Sequence, residues 1–273
     1  MQYRPTQFDD SVNVTTSNPL LEFAKFLAII GGLLFGLYWV SGMVVDRIVD
    51  HVSIEQEKWL FSRMGLEHIL PEAQKDKAEI VSKLQQLLDS LPSESKPAGY
   101  DFTIMLDEDD AINAYAVPGG VIVLTQGLLD ALQSENALVF VLGHELGHFA
   151  SRDHLRGLGR GLVVSFTGLL LLGEDSGISS LIGNTSLALS HSRHSRNQER
   201  VADMHGLQAL LEHYDHAGGA TEFFEAVQAH HGRKEWLGYG STHPMTDERI
   251  EMVKERIRFF DADTRETLPP SWK

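Results

Sequence analysis

The chain has 273 residues, which is enough for one sizeable domain and an anchoring segment. Its formal net charge of −15 argues against the clustered lysines and arginines of a nucleic-acid-binding surface, so we expect no nucleic-acid partner. The absence of cysteine excludes a disulfide framework, a thiolate metal site and a cysteine nucleophile.

The first part of the chain predicts a tail followed by one transmembrane helix. The polar residues at its start indicate that residues 1–25 form a flexible N-terminal tail. Residues 26–45 contain no charged side chain, and at about 1.5 Å per residue they span roughly 30 Å, the hydrocarbon thickness of a bilayer. No A-x-A cleavage site follows this run, which argues against a signal peptide. We therefore expect a single-pass integral membrane protein that contacts the lipid bilayer through residues 26–45.

The charges that flank the apolar run do not fix its orientation. Arg4 and Lys25 precede it, whereas Arg47, Lys58 and Arg63 follow within about twenty residues, the distance over which the positive-inside bias is counted. Two basic residues against three leave the side of the membrane undecided.

Residues 46–262 predict one domain that combines helices with a small sheet. A helix from about 54 to 64 is expected, and Pro71 opens a second one. The apolar stripe of this second helix is expected in the core: Ile80, Val81, Leu84, Leu87, Leu88 and Leu91. A loop at 92–99 is followed by strand-like composition at 100–106, 112–117 and 121–124. We expect these strands to form a small, mostly antiparallel sheet.

The rest of this domain is predicted to be helical, in helices at about 126–132, 134–151, 196–213 and 218–231. The apolar run 161–172 is short for a membrane span, so it predicts a core helix or an interfacial segment rather than a second crossing. Pro244 is expected to open the last helix, whose inner face would be Ile250, Val253, Ile257 and Phe260. Residues 263–273 are expected to be a loose C-terminal tail.

The most specific pattern lies inside the helix predicted at 134–151. In His144-Glu145-Leu146-Gly147-His148 the two histidines are four residues apart, so both lie on one side of the helix. This spacing lets both imidazoles reach one Zn²⁺, with Glu145 placed to act on its water. The ordinary alternative is a surface helix with two solvated histidines. Apolar residues on both sides of the motif argue against it, because burying these polar groups without partners would be costly.

Zinc in a catalytic site needs a third protein ligand and an open position for water. Glu199 and Asp203 are also four residues apart, so a helix at 196–213 would present both carboxylates on one face. Glu199 is the candidate third ligand, and Asp203 is the candidate acceptor of a hydrogen bond from a ligand histidine. The alternative is a solvated face of a charged helix.

The HELGH motif and the later segment SRNQERVAD resemble the zinc metalloendopeptidase family that includes HtpX and the CAAX prenyl protease. Three further segments resemble this family in the same order: NAYAVPGG at 113–120, TQGLL at 125–129, and STHP with ERI at 241–250. The resemblance covers roughly residues 54–258. It implies a zincin-like α+β domain, mainly α-helical, that binds one Zn²⁺ per chain through His144, His148 and Glu199.

The resemblance also implies further roles. Glu145 would be the general base, and His243 and Arg249 match positions that resemble donors to the oxyanion of the tetrahedral intermediate. The alternatives are a structural cap for His243 and a surface ion pair for Arg249. The family's substrate-binding edge strand corresponds to Asn113, Ala114, Tyr115 and Ala116, which would bind protein or peptide substrates through main-chain hydrogen bonds.

The expected function is therefore membrane-anchored zinc endopeptidase activity in membrane or envelope protein quality control or processing. Analogy with relatives slightly favours the periplasmic or envelope side for the catalytic domain. The alternatives are an inactive or latent zinc-binding membrane chaperone or scaffold, and a prenyl-CAAX processing enzyme, which would have more spans. A closed zinc site would need a fourth ligand such as His191 or His194, which are otherwise expected to be exposed loop residues.

Overall fold

A computed structural model of the chain describes residues 18–63, 75–172, 194–229, 243 and 247–273. The chain divides into two compact units, residues 1–44 and 45–273. The described part of the first unit belongs to one helix, α1 (Pro19–Val49), which is long and apolar enough to cross a membrane by length and composition. Helix α1 begins at Pro19, so the predicted tail 1–25 is wrong over its last residues; residues 1–17 lie outside the described part.

The second unit contains eight further α-helices among its described residues. They are α2 (Ile54–Arg63), α3 (Ala78–Ser90), α4 (Gln126–Ala131), α5 (Glu135–Ala150), α6 (Asp153–Leu172), α7 (Arg196–Tyr214), α8 (Glu222–Ala229) and α9 (Asp247–Phe259). The predicted mainly helical α+β class is confirmed. Pro71 and Pro244, which were expected to open α3 and α9, lie outside the described residues.

Three strands form the sheet: β1 (Thr103–Asp107), β2 (Ala114–Val117) and β3 (Val121–Thr125), in the order β1-β3-β2. Strand β2 pairs antiparallel with β3, but β1 pairs parallel with β3, so the prediction of a mostly antiparallel sheet is wrong for one of its two pairings. The acidic segment after β1 explains this topology. Its backbone is held at the end of β3, where the Gly127 amide donates to Asp109 O and the Thr125 hydroxyl donates to Ala111 O. The chain thus reaches the far side of β3 before β2 begins.

Helix α5 lies at the centre of the domain, because every residue from Asn136 to Phe149 is buried. Ser134 caps it as predicted, with its hydroxyl accepting from the Ala137 amide. Core residues from α3, β3, α7, α8 and α9 surround it, including Leu84, Leu88, Leu124, Leu210, Phe224 and Val253. The HELGH motif therefore lies in the core and not on a solvated surface.

The C-terminal residues are packed against the domain, which corrects the prediction that residues 263–273 form a loose tail. Trp272 is only 4% exposed, and its indole nitrogen donates to Leu129 O. The Glu135 amide at the start of α5 donates to Leu268 O, and the Leu268 amide donates to Asn136 Oδ1. A large aromatic side chain and backbone partners for α5 together hold this segment in place.

Two further predictions concern the ends of helices. Phe260 lies just beyond the end of α9 and is 55% exposed, so it does not belong to the inner face, whereas Ile250 and Val253 are buried as predicted. The apolar run 161–172 is the second part of the 20-residue helix α6. In the described ranges, α1 is the helix that meets the length and composition of a membrane span, and contact of residues 161–172 with a bilayer stays a prediction.

Candidate metal and active site

Small residues allow α5 and α7 to approach each other closely. A Cβ atom at Gly143 would lie 2.7 Å from the Ala209 Cβ, and one at Gly147 would lie 2.9 Å from the Ala202 Cα. On the facing helix, a Cβ atom at Gly206 would lie 2.7 Å from a backbone oxygen of α5. This close contact places the HELGH face of α5 directly opposite the carboxylates of α7.

Two imidazoles and one carboxylate converge at this contact. The Nε2 atoms of His144 and His148 are 3.1 Å apart, and they lie 3.7 Å and 3.6 Å from the Glu199 oxygens. Tetrahedral zinc with bonds of roughly 2.0–2.1 Å places neighbouring ligand atoms about 3.3 Å apart. The predicted donor set therefore fits one zinc ion in both spacing and chemistry.

A carboxylate contacts the outer nitrogen of each histidine. His144 Nδ1 lies 3.0 Å from Asp203 Oδ1, in agreement with the position predicted for Asp203. His148 Nδ1 lies 2.9 Å from Asp153 Oδ2, and the Gln198 side chain donates to the other Asp153 oxygen. Each contact leaves Nε2 directed at the metal position. The sequence analysis did not identify Asp153. The feature that could have indicated it is an acidic residue just after the end of the HELGH helix.

Arg249 is 2% exposed and joins the two buried acidic residues of α7, Glu199 and Asp203. Its Nε and Nη2 donate to Asp203 over 2.8 Å and 2.7 Å, and its Nη1 lies 2.7 Å from Glu199 Oε2. The guanidinium also lies over the Phe224 ring, 5.4 Å from its centroid. The alternative of a surface ion pair is therefore wrong for Arg249, because its partners belong to the buried site.

His243 lies between the metal-binding atoms and Glu145. Its Nδ1 is 3.0 Å from Glu199 Oε1 and 3.3 Å from His144 Nε2, and its Nε2 is 3.9 Å from Glu145 Oε1. The four groups His144, His148, Glu199 and His243 all offer a ligand atom within 4.8 Å of one another. His243 is thus close enough to act on the metal, on Glu145 or on a group bound between them.

Glu145 is buried, and no described residue donates a hydrogen bond of normal geometry to its carboxylate oxygens. Burial raises its pKa to about 7, and the negative charge of Glu199 acts in the same direction. The charges of His243 and Arg249 and the nearby Ala116 amide lower this pKa only in part. A buried acid whose oxygens receive no hydrogen bond of normal geometry from the described residues, and whose pKa is raised towards neutrality, is typical of a general base.

The pKa values of the other groups suit metal binding. Burial and the neighbouring His148 hold the pKa of His144 well below its usual value, so its imidazole is neutral and can bind a metal. Burial alone would raise the pKa of Glu199, but the charges of His243 and Arg249 outweigh it and lower this pKa to about 2. Glu199 is therefore ionised throughout the physiological pH range, as a carboxylate ligand of a metal must be.

Strand β2 forms an edge of the described sheet next to Glu145. The Asn113 backbone pairs with Thr125 of β3, through its carbonyl with the Thr125 amide and through its amide with the Thr125 hydroxyl. Because the pairing alternates along an antiparallel strand, Ala114 and Ala116 direct their backbone groups away from β3. The Ala116 amide is near enough to lower the pKa of Glu145. The predicted segment thus presents main-chain groups beside the catalytic candidate.

His194 is half-buried against the site, and not exposed as expected. Its ring stacks on that of His148 with centroids 4.0 Å apart, and it lies 5.1 Å from the His243 ring. Burial and the neighbouring histidines hold its pKa well below the usual value. His191, the other histidine considered as a fourth ligand, lies outside the described residues.

Comparison with known proteins gives relatives at low identity. The chain is 25% identical over 185 residues to the metalloprotease LoiP of Escherichia coli, covering 66% of this chain and 71% of LoiP. It is 28% identical over 151 residues to the mitochondrial metalloendopeptidase OMA1 of Schizosaccharomyces pombe, covering 54% and 44%. It is 26% identical over 151 residues to the metalloprotease YcaL of Escherichia coli, covering 54% and 58%.

A protein-family comparison extends the resemblance beyond single relatives. The model of peptidase family M48 matches residues 74–257, which include all of the predicted zinc ligands and Glu145. This result confirms the predicted resemblance to the family of HtpX and the CAAX prenyl protease. Since the match covers well over half of the sequence, the chain belongs to peptidase family M48.

Proposed function

We propose that this protein is a membrane-anchored zinc metalloendopeptidase that hydrolyses peptide bonds in proteins. The observation that carries the proposal is the position of Glu145. It is buried and, among the described residues, without a hydrogen-bond donor of normal geometry, and it lies beside three groups spaced for one zinc ion. Membership of family M48 and three relatives named as metalloproteases or metalloendopeptidases support the same conclusion.

Glu145 would act as the general base and then as the general acid of the reaction. A bound zinc ion would lower the pKa of a coordinated water towards neutrality and polarise the scissile carbonyl. Glu145 accepts the proton of the attacking water and then transfers it to the nitrogen of the leaving amine. Burial raises the pKa of Glu145 to about 7 in the metal-free protein, which makes its carboxylate more basic than an exposed one and so a better proton acceptor.

Substrate would bind as an added strand along β2. The outward backbone groups of Ala114 and Ala116 would hydrogen-bond to an extended peptide and so place its carbonyl beside Glu145. Asn113 and Tyr115 pair with β3, and the partly buried Tyr115 side chain packs against the cluster that contains Val117 and Val123. Both residues would therefore position the strand instead of reading substrate sequence. Main-chain recognition of this kind favours unfolded or extended protein segments with little sequence preference.

His243 and Arg249 would have different roles. His243 can donate from Nδ1 to Glu199 and, when protonated, present Nε2–H near Glu145, where the oxyanion of the intermediate would form. Arg249 contacts Asp203 and Glu199, so we assign it the positioning of these carboxylates instead of the predicted oxyanion contact.

Helix α1 would anchor the protein, since it has the length and composition of a membrane span. Anchoring would restrict the substrates to proteins at the membrane, which supports a role in membrane or envelope protein quality control or processing. The second candidate function is a latent or non-hydrolytic zinc protein. The stacking of His194 on His148 favours it, because this ring could close the open side of the metal position.

The decisive experiment compares the detergent-purified protein with Glu145→Gln for zinc content and casein degradation. We expect both proteins to hold about one zinc ion and only the wild type to cleave. Glu135→Gln is the matched control: it changes a glutamate on the same helix whose partner is the Tyr214 hydroxyl, and it should cleave normally.

Each other result has a specific meaning. Zinc in both proteins without cleavage by either would contradict protease activity under these conditions. The variant His194→Ala would then distinguish a latent enzyme from a zinc-binding scaffold. Recovery of cleavage by that variant would identify a latent enzyme, whereas continued inactivity would leave a zinc-binding scaffold. A wild-type protein without zinc would contradict the ligand assignment itself.

A further inference from the structure

A second buried carboxylate lies outside the metal centre. Glu57 of α2 is 1% exposed, yet it accepts hydrogen bonds from four donors in three different segments of the chain. The donors are Tyr100 Oη at 2.6 Å, the Gly119 amide at 2.8 Å, Arg152 Nη2 at 2.9 Å and His154 Nε2 at 3.0 Å. Removing the carboxylate would leave these donors, one of them a guanidinium, without their shared acceptor.

Glu57 is ionised under all physiological conditions. Burial would raise its pKa, but hydrogen bonds from His154, Tyr100 and the Gly119 amide overcome this effect and lower the pKa to about 2. The negative charge of Glu57 is therefore available to its four hydrogen-bond donors at every physiological pH.

One branch of this cluster leads to strand β2. Gly119 lies in the turn that ends β2 and begins β3, with a φ of +94° that is accessible to glycine at little cost. The bond from its amide to Glu57 ties this turn to α2. Phe61, one turn further along α2, packs with Val117 and Val123 of the two strands. Helix α2 thus holds the end of the strand whose Ala116 lies beside Glu145.

The other branch leads to a zinc ligand. Arg152 and His154 both bond to Glu57, and Asp153 between them contacts His148 Nδ1 at 2.9 Å. Arg152 has a φ of +56°, an unfavourable conformation for a residue with a Cβ atom, so the corner between α5 and α6 needs outside support. Arg152 also donates to the carbonyls of Val49 and Val52. Glu57 is therefore linked to His148, a candidate zinc ligand, through two contacts and the backbone between them.

We propose that Glu57 is a positioning residue of the active site, which holds strand β2 and the Asp153–His148 pair in their relative places through one carboxylate. The proposal rests on the proposed function, because it assumes that β2 binds substrate and that His148 binds zinc. A buried ion pair with a purely structural role is the alternative. The geometry favours positioning, since both branches end on groups of the site.

The test uses Glu57→Gln in the full chain, which keeps the size of the side chain and removes its charge. Glu222→Gln is the matched control, because Glu222 also accepts several hydrogen bonds but does so at the opposite end of α5, from the Gln133 and Ser134 amides and the Ser134 hydroxyl. Three quantities are measured: zinc affinity by chelator competition, amide hydrogen exchange of residues 114–120, and KM and kcat with a fluorogenic peptide.

For Glu57→Gln we expect zinc affinity to fall by about three- to tenfold, below the range found for direct partners of ligands. We also expect faster exchange at residues 114–120 and a KM raised by about fivefold or more. Glu222→Gln should lower the melting temperature with zinc affinity, exchange at 114–120 and KM unchanged. If Glu57→Gln does not fold, Glu57→Asp keeps the charge, shortens the reach and should change the same quantities in the same direction.

A Glu57 variant that loses stability as the control does, with zinc affinity, exchange and KM at wild-type values, would overturn the proposal. A change in zinc affinity alone, or in hydrogen exchange and KM alone, would also overturn it, because the proposal requires one carboxylate to position both His148 and β2. Zinc affinity and hydrogen exchange need no turnover. They therefore still test Glu57 if the wild-type protein binds zinc but fails to cleave, a result that would count against the proposed function alone.

Discussion

Each of the candidate zinc ligands His144 and His148 contacts a carboxylate of its own, and these two carboxylates have different hydrogen-bond donors. Asp203 receives two bonds from the buried Arg249, whereas Asp153 receives the Gln198 amide. Asp203→Asn would leave the Arg249 charge partly uncompensated in the interior, which costs about 3–5 kcal/mol. Asp153→Asn would also remove a negative charge, but the donor described above for Asp153 is the neutral Gln198 amide, so no buried cation would lose its partner.

We therefore expect both variants to lose zinc affinity by about 10–100-fold, as is found for partners of metal ligands. Only Asp203→Asn should also lower the melting temperature strongly. Chelator competition and thermal unfolding measure the two effects, with the exposed Asp89→Asn as control. Equal melting temperatures for the two variants would contradict the assigned difference in their partners.

The raised pKa of Glu145 predicts that its ionised carboxylate lowers the stability of the metal-free protein. An acid whose pKa is about 7 in the folded protein and 4.5 when unfolded binds protons more tightly in the folded state. Its stabilising contribution is complete below pH 4.5 and is lost as the pH rises through 7. Gln resembles the protonated acid at every pH.

Metal-free Glu145→Gln should therefore melt at a higher temperature than the metal-free wild type at pH 8, and the difference should vanish towards pH 4.5. Thermal unfolding at several pH values in the presence of a chelator provides the measurement. A variant that is less stable than the wild type at pH 8 would show that the buried carboxylate is well solvated or paired.

Glycines at the contact between α5 and α7 allow the two helices to lie at the short distance that the site needs. Gly206→Ala would place a Cβ atom 2.7 Å from the Phe140 carbonyl oxygen, so the helices must separate. We expect a loss of about 1–3 kcal/mol of stability, as for overpacked cores, together with weaker zinc binding. Gly161→Ala of α6 is the control, since nothing lies within 4 Å of its Cβ position and alanine favours helix. A Gly206→Ala protein with normal zinc affinity would show that ligand spacing does not depend on this contact.

Sequence predicts elements here better than it predicts their pairing. The HELGH spacing, the Ser134 cap and the Glu199–Asp203 spacing are local, so periodicity is enough to place them. The parallel pairing of β1 was not predictable, because it depends on contacts that carry residues 107–113 around the end of β3. The Asp153 and Glu57 contacts were also missed, since each joins residues on different elements and leaves no periodic pattern in the sequence.

At the scale of the whole molecule, the two compact units predict separable properties. Deleting residues 1–44 should release the protein from liposomes in flotation and alkaline extraction, because α1 is the apolar span of the described chain. The remaining unit contains the described groups that could hold a metal, His144, His148, Glu199 and His243, and it should still hold about one zinc ion. If the shortened protein stays with the membrane, a second segment such as 161–172 contacts the bilayer.

The docking of the C-terminal residues has a consequence for biosynthesis. Leu268 bonds to the first turn of α5 across a separation of 132 residues, and the buried Trp272 donates to Leu129 O of α4. On the ribosome, the helix that carries His144 and His148 is made long before these partners emerge. The nascent chain therefore carries the HELGH helix with an incomplete first turn until residues 268–272 have been synthesised, and only then can the candidate site reach its final form.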